Sequence, residues 1–396
     1  MTKSKQPQYR FDGFKGEWEE KELGDIVQIT MGQSPSSQNY TTNPSDYILV
    51  QGNADIKNGY VFPRVWTTQI TKQADKGDII LSVRAPVGDV GKTNYHVIIG
   101  RGVAAIKGNE FIFQILKYLK EIGYWKRIST GSTFDNISSS DIKYAKIQIP
   151  SLPEQEAIGE LFQTVDQLIQ LQDQKLATLK EQKQTFLRKM FPPQGQKVPE
   201  IRLQGFDGEW EENKLGEVSP LRGGYAFESD KFQSDGIKII RISNILSSGI
   251  IGGEFAHYHQ INNDDKYLLT GGSALIAMSG ATTGKVSILN TEEKYYQNQR
   301  VGYFMDLNKI HYNFIIAFLK SLNFNKQIQS VLVAGAQPNI SSKEIDNFQI
   351  LYPRHNVEQE AIGNFFQTLD QQIAQSEEKL TELKALKQTL LNRLFV

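Results

Sequence analysis

The sequence predicts a mixed α/β (α+β) protein built as an internal repeat, in which two homologous globular domains are joined by two long helices that form an antiparallel coiled coil. Three observations predict this. Residues 10–26 return at 202–218 with ten identities in seventeen positions, and residues 154–191 return at 358–395 with 21 identities in 38. Short β-rich runs fill the globular part of each copy. An apolar seam with alternating steps of four and three fills the polar segment that follows. The boundaries read as 1–150 for the first domain, 151–195 for the first helix and linker, 196–353 for the second domain and 354–396 for the second helix.

In chain order, each copy opens on a Gly-Glu-Trp-Glu frame, RFDGFKGEWEEKELGDI and RLQGFDGEWEENKLGEV. Trp18 and Trp210, at matching positions, read as core anchors rather than stacking platforms. The runs YILV (47–50), DIILSV (78–83), IKIIRI (237–242) and KVSIL (285–289) lie between clusters of Gly, Asn, Ser and Pro. That pattern predicts short strands with long loops. Weaker echoes pair GDIILSVRAPVGDVGK (77–92) with GSALIAMSGATTGK (272–285), and GSTFDNISSSDI (131–142) with GAQPNISSKEI (335–345). One helical stretch comes late in each domain, over 111–128 and 312–328.

Val165, Ile169, Gln172, Leu176, Leu179, Lys183, Phe186 and Met190 carry the coiled-coil spacing, and Leu369, Ile373, Ser376, Leu380, Leu383, Lys387, Leu390 and Leu394 repeat it. The polar interruptions match, Gln172 with Ser376 and Lys183 with Lys387; seam polars cost stability but select register and partner. Only FPPQGQKVPE separates the first helix from the second domain. A parallel second helix would find no partner in the same chain, so antiparallel pairing and a pseudo-two-fold arrangement of heads follow. Val165 to Met190 spans about 39 Å of helix and the whole repeated segment about 57 Å. One turn of B-DNA is about 34 to 36 Å.

The 396 residues hold 44 Lys+Arg against 44 Asp+Glu, which excludes a basic nucleic-acid arm, an acidic tail and bulk disorder as descriptions of the whole chain. There is no Cys, hence no disulfide, Cys-ligated zinc or thiol nucleophile. The start MTKSKQPQYR has no apolar signal core and no run approaches the roughly 20 residues a bilayer needs, so a cytoplasmic location is expected. Catalytic motifs fail one by one. His257 and His259 lack a third metal ligand. APVGDVGKT and SGATTGKV depart from a P-loop at Pro86, Ser279 and Val286, and no helix pattern follows GRGVAA (100–105). Phe191-Pro192-Pro193 lacks the polar residue that amino-methyltransferases place before such a pair. The loops are instead rich in Asn, Gln, Ser, Arg and Gly, side chains that hydrogen-bond base edges and phosphates.

Two modules with GEWEEKELGDI-like openings, G-D-I-I-L-S before a G-K turn, a G-S-T/N-I-S segment, and IPSLPEQEAI (149–158) leading into a long helix resemble the specificity subunit of type I DNA restriction-modification systems over essentially the whole chain. YPRHNVEQEAI (352–362) lacks the second Pro of that motif. The resemblance implies a non-catalytic reader of double-stranded DNA. Each globular part would be a target recognition domain for half of a split, asymmetric site, with the paired helices setting the gap. It also implies two adenine-N6 methyltransferase modification subunits and ATP-dependent restriction subunits as partners; S-adenosylmethionine, ATP and Mg would belong to them, with no cofactor in this chain. By position, Arg84, Lys92, Arg101, Arg241, Lys285 and Arg300 are expected on phosphates or guanine edges, and Gln33, Gln51, Asn53, Asn244, Asn298 and Gln299 as base readers. The competing class is a duplicated scaffold without DNA specificity, favoured by the neutral charge.

Overall fold

The computed structural model describes residues 6–130, 135–246, 248–334 and 338–395. Residues 131–134 and 335–337 of the second weak echo therefore lie outside the described residues. The chain divides into two compact units, residues 1–174 with 378–396 and residues 175–377.

The first unit holds a ribbon of Glu19–Glu22 with Lys146–Ile149 and two larger sheets. In spatial order, the larger one runs Gln28–Met31, Val103–Lys107, Ile79–Ser82, Val90–Lys92, Tyr60–Val61 and Ile56–Lys57. The other runs Tyr40–Thr41, Trp66–Thr67, Tyr47–Val50, Val97–Ile99 and Lys72–Ala74, with Tyr47–Val50 parallel to Val97–Ile99. The second unit repeats this on a smaller scale. Glu211–Lys214 pairs with Gln349–Tyr352, and one sheet runs Leu221–Gly223, Val301–Phe304, Ala274–Ala277 and Val286–Ile288. Its other sheet runs Ala256–Tyr258, Ile237–Ile240, Tyr295–Gln297 and Leu268–Leu269, again with one parallel pair. All four expected strand runs are strands.

The single helical stretch expected late in each domain is two helices in both. Glu110–Glu121 is followed by Tyr124–Ile128, and Tyr312–Leu319 by Leu322–Ala334. Gly123 breaks the first pair at a positive φ of 71°, where Gly avoids the Cβ penalty. In the second the break falls at the buried Ser321, whose amide bonds to the Phe318 carbonyl.

Two helices of 38 and 39 residues, Leu152–Lys189 and Asn356–Leu394, carry the seam. An acid in the first turn and a base in the last, Glu154 with Arg188 and Glu358 with Arg393, complement the helix dipole. Val165, Met190, Leu369, Ser376, Leu380 and Leu394 are buried and the other seam residues half-buried. Within the first unit, Lys387 pairs with Asp166 at 2.6 Å and Lys384 with Asp173 at 3.6 Å; within the second, Lys183 pairs with Asp370 and Lys180 with Glu377, at 2.5 and 2.6 Å. In each unit the partner's number falls as the first rises, so the segments run antiparallel.

Each seam lysine belongs to a larger node around its carboxylate. Asp166 also meets Lys117 and Gln114 from the helix Glu110–Glu121, and Asp370 meets Lys320 at the matching place in the second unit. Burial pushes the Asp166 carboxyl up, but Lys117 and Lys387 outweigh it and hold it below its usual value. Asp370 is held down against burial by Lys320 and Lys183. Lys117 is pushed down to about 8, chiefly by burial.

The repeated sequence motifs meet at the helix entry. Glu154, 1% exposed, accepts a forked pair of bonds from Arg10 Nε and Nη2, both 2.7 Å, while Arg10 Nη1 donates to the Gly16 carbonyl. Glu358 is clamped likewise by Arg202, which also reaches the Gly208 carbonyl. Trp18 Nε1 adds a 3.3 Å bond to Glu154, and its ring packs edge-on against Phe111. Trp18 and Trp210 are both core residues, 1% and 2% exposed. Gln155 and Gln359 donate to the Pro150 and Pro353 carbonyls, so the second helix keeps the same anchor despite its missing proline, with one extra residue before it. Gly159 and Gly363 allow close approach: a Cβ there would lie 2.8 Å from Glu110 Cβ and 2.6 Å from Asn313. Each core is completed by a helix end, Leu391, Leu394 and Phe395 in the first unit and Leu187, Met190 and Phe191 in the second.

Three outcomes follow. Glu154→Ala strands the Arg10 guanidinium and the Trp18 indole and should cost about 3 kcal/mol in urea denaturation, with Glu154→Gln costing less. Because Asp166 and Asp370 titrate lower in the folded chain, their stabilisation is complete above about pH 4 and fades as pH falls through their folded values. Asp166→Asn with Asp370→Asn should flatten that acid limb. Lys117 is likewise lowered on folding and gives a slope of the same sign in a higher window: between about 8 and 10.5 the unfolded chain binds the extra proton, so stability rises with pH there, and Lys117→Met should abolish the rise.

Candidate nucleic-acid interface

In the first unit, four segments converge beyond the ends of the central strands. The Gln33 amide donates to the Ile99 carbonyl, the Gly100 amide to Val50, the Val83 amide to Gly102 and the Ile137 amide to Val83, all at 2.8 to 2.9 Å. The Arg101 amide donates to Ser34 Oγ. The crossing is tight: a Cβ on Gly32 would lie 2.0 Å from the Gly100 carbonyl oxygen, and one on Gly102 1.9 Å from that of Gln51. Only glycine permits such backbone contact. Gln33, Arg84 and Arg101 stand exposed on this edge, and among the described residues their side chains find no hydrogen-bond or ion-pair partner. Gln51 is half-buried with its Nε2 donating 2.6 Å to the Tyr40 hydroxyl.

The second unit builds the same edge. The Tyr225 amide donates to the Gln297 carbonyl at 2.8 Å, the Asn298 amide to Ile240 at 3.1 Å, the Met278 amide to Arg300 and the Ile340 amide to Met278, both at 2.9 Å. Gly224 takes the place of Gly32, with a Cβ 2.2 Å from the Gln297 oxygen. Gln299 and Arg300 are exposed, and with Met278, Asn339 and Ser341 they line an open depression of 460 Å³. Asn298 is half-buried, its Oδ1 accepting from the Arg300 amide. Arg241 lies 5.8 Å over the Phe232 ring and donates 3.3 Å to the Glu254 carbonyl, while its Nε is buried with no partner.

Four expected readers fall outside this set. Asn244 is 0% exposed: its Oδ1 accepts from the Arg241 amide at 3.0 Å and its Nδ2 donates to the Gly252 and Glu254 carbonyls, so it shapes the loop and presents nothing to a ligand. Lys92 is tied to Glu110 and lies 5.1 Å over Phe113, at the opposite end of its strand from the edge. Asn53 is spent on Asp89, which also pairs with Lys120. Lys285 is exposed, but it sits at the base of a hairpin and not on the converging segments.

The Gly-Lys echo is also out of register. The structural partner of Gly284, at φ 82°, is Gly88 at 86°, not Gly91. Their amides donate to the matching Ala277 and Ser82 carbonyls. Strands, not helices, follow both Gly-Lys pairs and Gly102, which removes the geometry of a phosphate or dinucleotide loop. Among the described residues no three His, Asp or Glu side chains gather into a metal-binding group, and no helix is long and apolar enough to cross a membrane. Sequence reading missed Tyr225, which stands where Gln33 does; the Gly before each was the available signal.

Comparison with known proteins supplies the context. The family model for the type I restriction modification DNA specificity domain matches residues 15–181 and again 207–385. A putative type I restriction enzyme MjaX specificity subunit of Methanocaldococcus jannaschii is 36% identical over 180 residues, which span 43% of this chain and 42% of that protein. The type I restriction enzyme MjaVIII specificity subunit of the same organism is 23% identical over 394 residues, 96% of this chain and 92% of that one. The crystal structure of the type I restriction-modification S subunit from M. genitalium shares the fold at a TM-score of 0.69 and 18% identity, covering 99% of both chains. With the family model covering most of the chain in two copies that the repeat itself announces, this chain belongs to the type I restriction modification DNA specificity domain family.

Proposed function

We propose that the chain is the non-catalytic DNA-reading subunit of a type I restriction-modification system. Each globular part reads one half of a split, asymmetric target and the paired helices set the unread gap. The observation that carries this is the polar edge present in both units: the same backbone bonds hold it, and different exposed side chains occupy it. Arginine, glutamine and asparagine are the side chains that read guanine and adenine edges in the major groove. Catalysis falls to partners: two modification subunits, adenine-N6 methyltransferases using S-adenosylmethionine, and restriction subunits using ATP and Mg. The chain acts in the cytoplasm, where such partners and DNA meet.

Charge supports a division of labour. Residues 1–150 carry 19 basic against 15 acidic side chains and residues 196–353 carry 15 against 17. Phosphate neutralisation supplies much of DNA affinity. With so little net positive charge, this chain alone should bind random duplex weakly, with a shallow salt dependence, and the modification subunits supply the grip.

Profiling modified adenines in DNA from cells with and without this gene should reveal one gene-dependent split motif. Its absence would leave a scaffold as the better description. Exchanging residues 1–150 for those of a relative should alter one half only, and lengthening the helix by a few residues near Leu176, with a matching insertion near Glu377, should alter the gap and neither half.

A further inference from the structure

The backbone bonds that build the two edges also match their positions one to one. Gln33 and Tyr225 each donate an amide to the residue that ends the equivalent strand, Ile99 and Gln297. Val50 and Ile240 accept from Gly100 and Asn298, which puts Gln51 against Arg241. The strand register gives the same match, since Val50 pairs with Ile99 and Ile240 with Gln297; the one-turn helix beyond starts one residue later in the first unit, where Gly52 as well as Gln51 donates to Asp55, while Arg241 itself caps the helix that ends on Asn244. Val83 and Met278 donate to Gly102 and Arg300, so Arg84 stands against Ser279 and Arg101 against Gln299. The flanking backbone bonds match at all four pairs, although the Arg101 amide itself donates to Ser34 Oγ where the Gln299 amide donates to the Tyr225 carbonyl, and the side chains differ in size, charge or hydrogen bonding. A fifth pair, Gly102 and Arg300, is closed to exchange in the first unit, where a Cβ would strike the Gln51 carbonyl at 1.9 Å.

We infer that these four matched pairs are where the two heads choose different half-sites, an inference that rests on the DNA-reading function proposed above. The edge is a common frame, and specificity resides in the side chains at 33, 51, 84 and 101 of the first head and 225, 241, 279 and 299 of the second. The chemistry of the two sets is unlike. The first head presents two exposed guanidiniums, Arg84 and Arg101, each able to fork onto a guanine or a phosphate, together with the amides of Gln33 and Gln51. The second replaces both guanidiniums with Ser279 and Gln299 and sets its arginine at 241, half-buried over the Phe232 ring. Arg300 adds a cation that the first head has no room to copy.

The test transfers one set onto the other frame. A chain carrying Gln33→Tyr, Gln51→Arg, Arg84→Ser and Arg101→Gln is expressed with its modification partners, and methylated adenines are mapped beside the wild type. The half-site read by the first head should change while the other half and the gap stay fixed. An unchanged motif overturns the inference. If the fourfold variant methylates nothing, the exposed single changes Arg84→Ser and Arg101→Gln decide: relaxation at one position of that half supports the inference, and an unaltered motif from both sinks it. A wild-type chain that yields no split motif would instead count against DNA reading itself. Lys92→Ala, away from the edge, should leave the motif as it is.

Discussion

The carboxylate at the mouth of each long helix is the contact on which the rest depends. Glu154 and Glu358 are each 1% exposed, and such a charge is tolerable only if it is paired and fully hydrogen-bonded. Arg10 and Arg202 supply that pairing from the segment that opens each domain, some 144 and 156 residues earlier. One forked bond therefore closes each domain on itself and seats it on its helix. The residues that recur most faithfully between the copies, the Arg and Gly of the opening frame, its Trp, and the Glu-Gln-Glu-Ala-Ile-Gly of the helix entry, are the residues of this joint. Their repetition is a packing requirement.

The lysine nodes extend the same logic along the helices. Asp166 and Asp370 each sit between a lysine from the domain and a lysine from the facing helix segment, a polar interruption of the seam that is satisfied in one register only. A slip of one turn would leave a partly buried carboxylate beside apolar side chains. If the helices set the spacing of a split target, a register locked in this way is what a fixed gap requires.

Against this shared frame, the polar edge is free to vary. Its geometry is set by backbone hydrogen bonds and by glycines at crossings where no Cβ fits, so the exposed side chains are not needed for folding. A protein that must change what it reads without changing how it assembles benefits from that separation. The near-neutral charge of the heads fits the division of labour proposed above, in which a few side chains choose the sequence and partner subunits supply the general attraction for phosphate.

The repeat, the strand runs, the seam and the antiparallel pairing were legible in the sequence because each rests on local periodicity or chain connectivity. Trp18 and Trp210 were legible as core for the same reason. Which loop residues face outward was not. Asn244 and Gln299 look alike as polar loop residues, yet one is buried, its amide spent on the Gly252 and Glu254 carbonyls of its own loop, and the other stands exposed on the edge. Lys92 and Lys285 share a Gly-Lys dipeptide but not a place in the hairpin: Lys92 pairs with Ile79, the position that Ile288 takes opposite Ala274 in the second unit. By itself the sequence determined the architecture, through periodic burial and repetition. Only the tertiary structure decided the exposed polar edge, because long-range backbone bonds choose which of many similar side chains are turned outward.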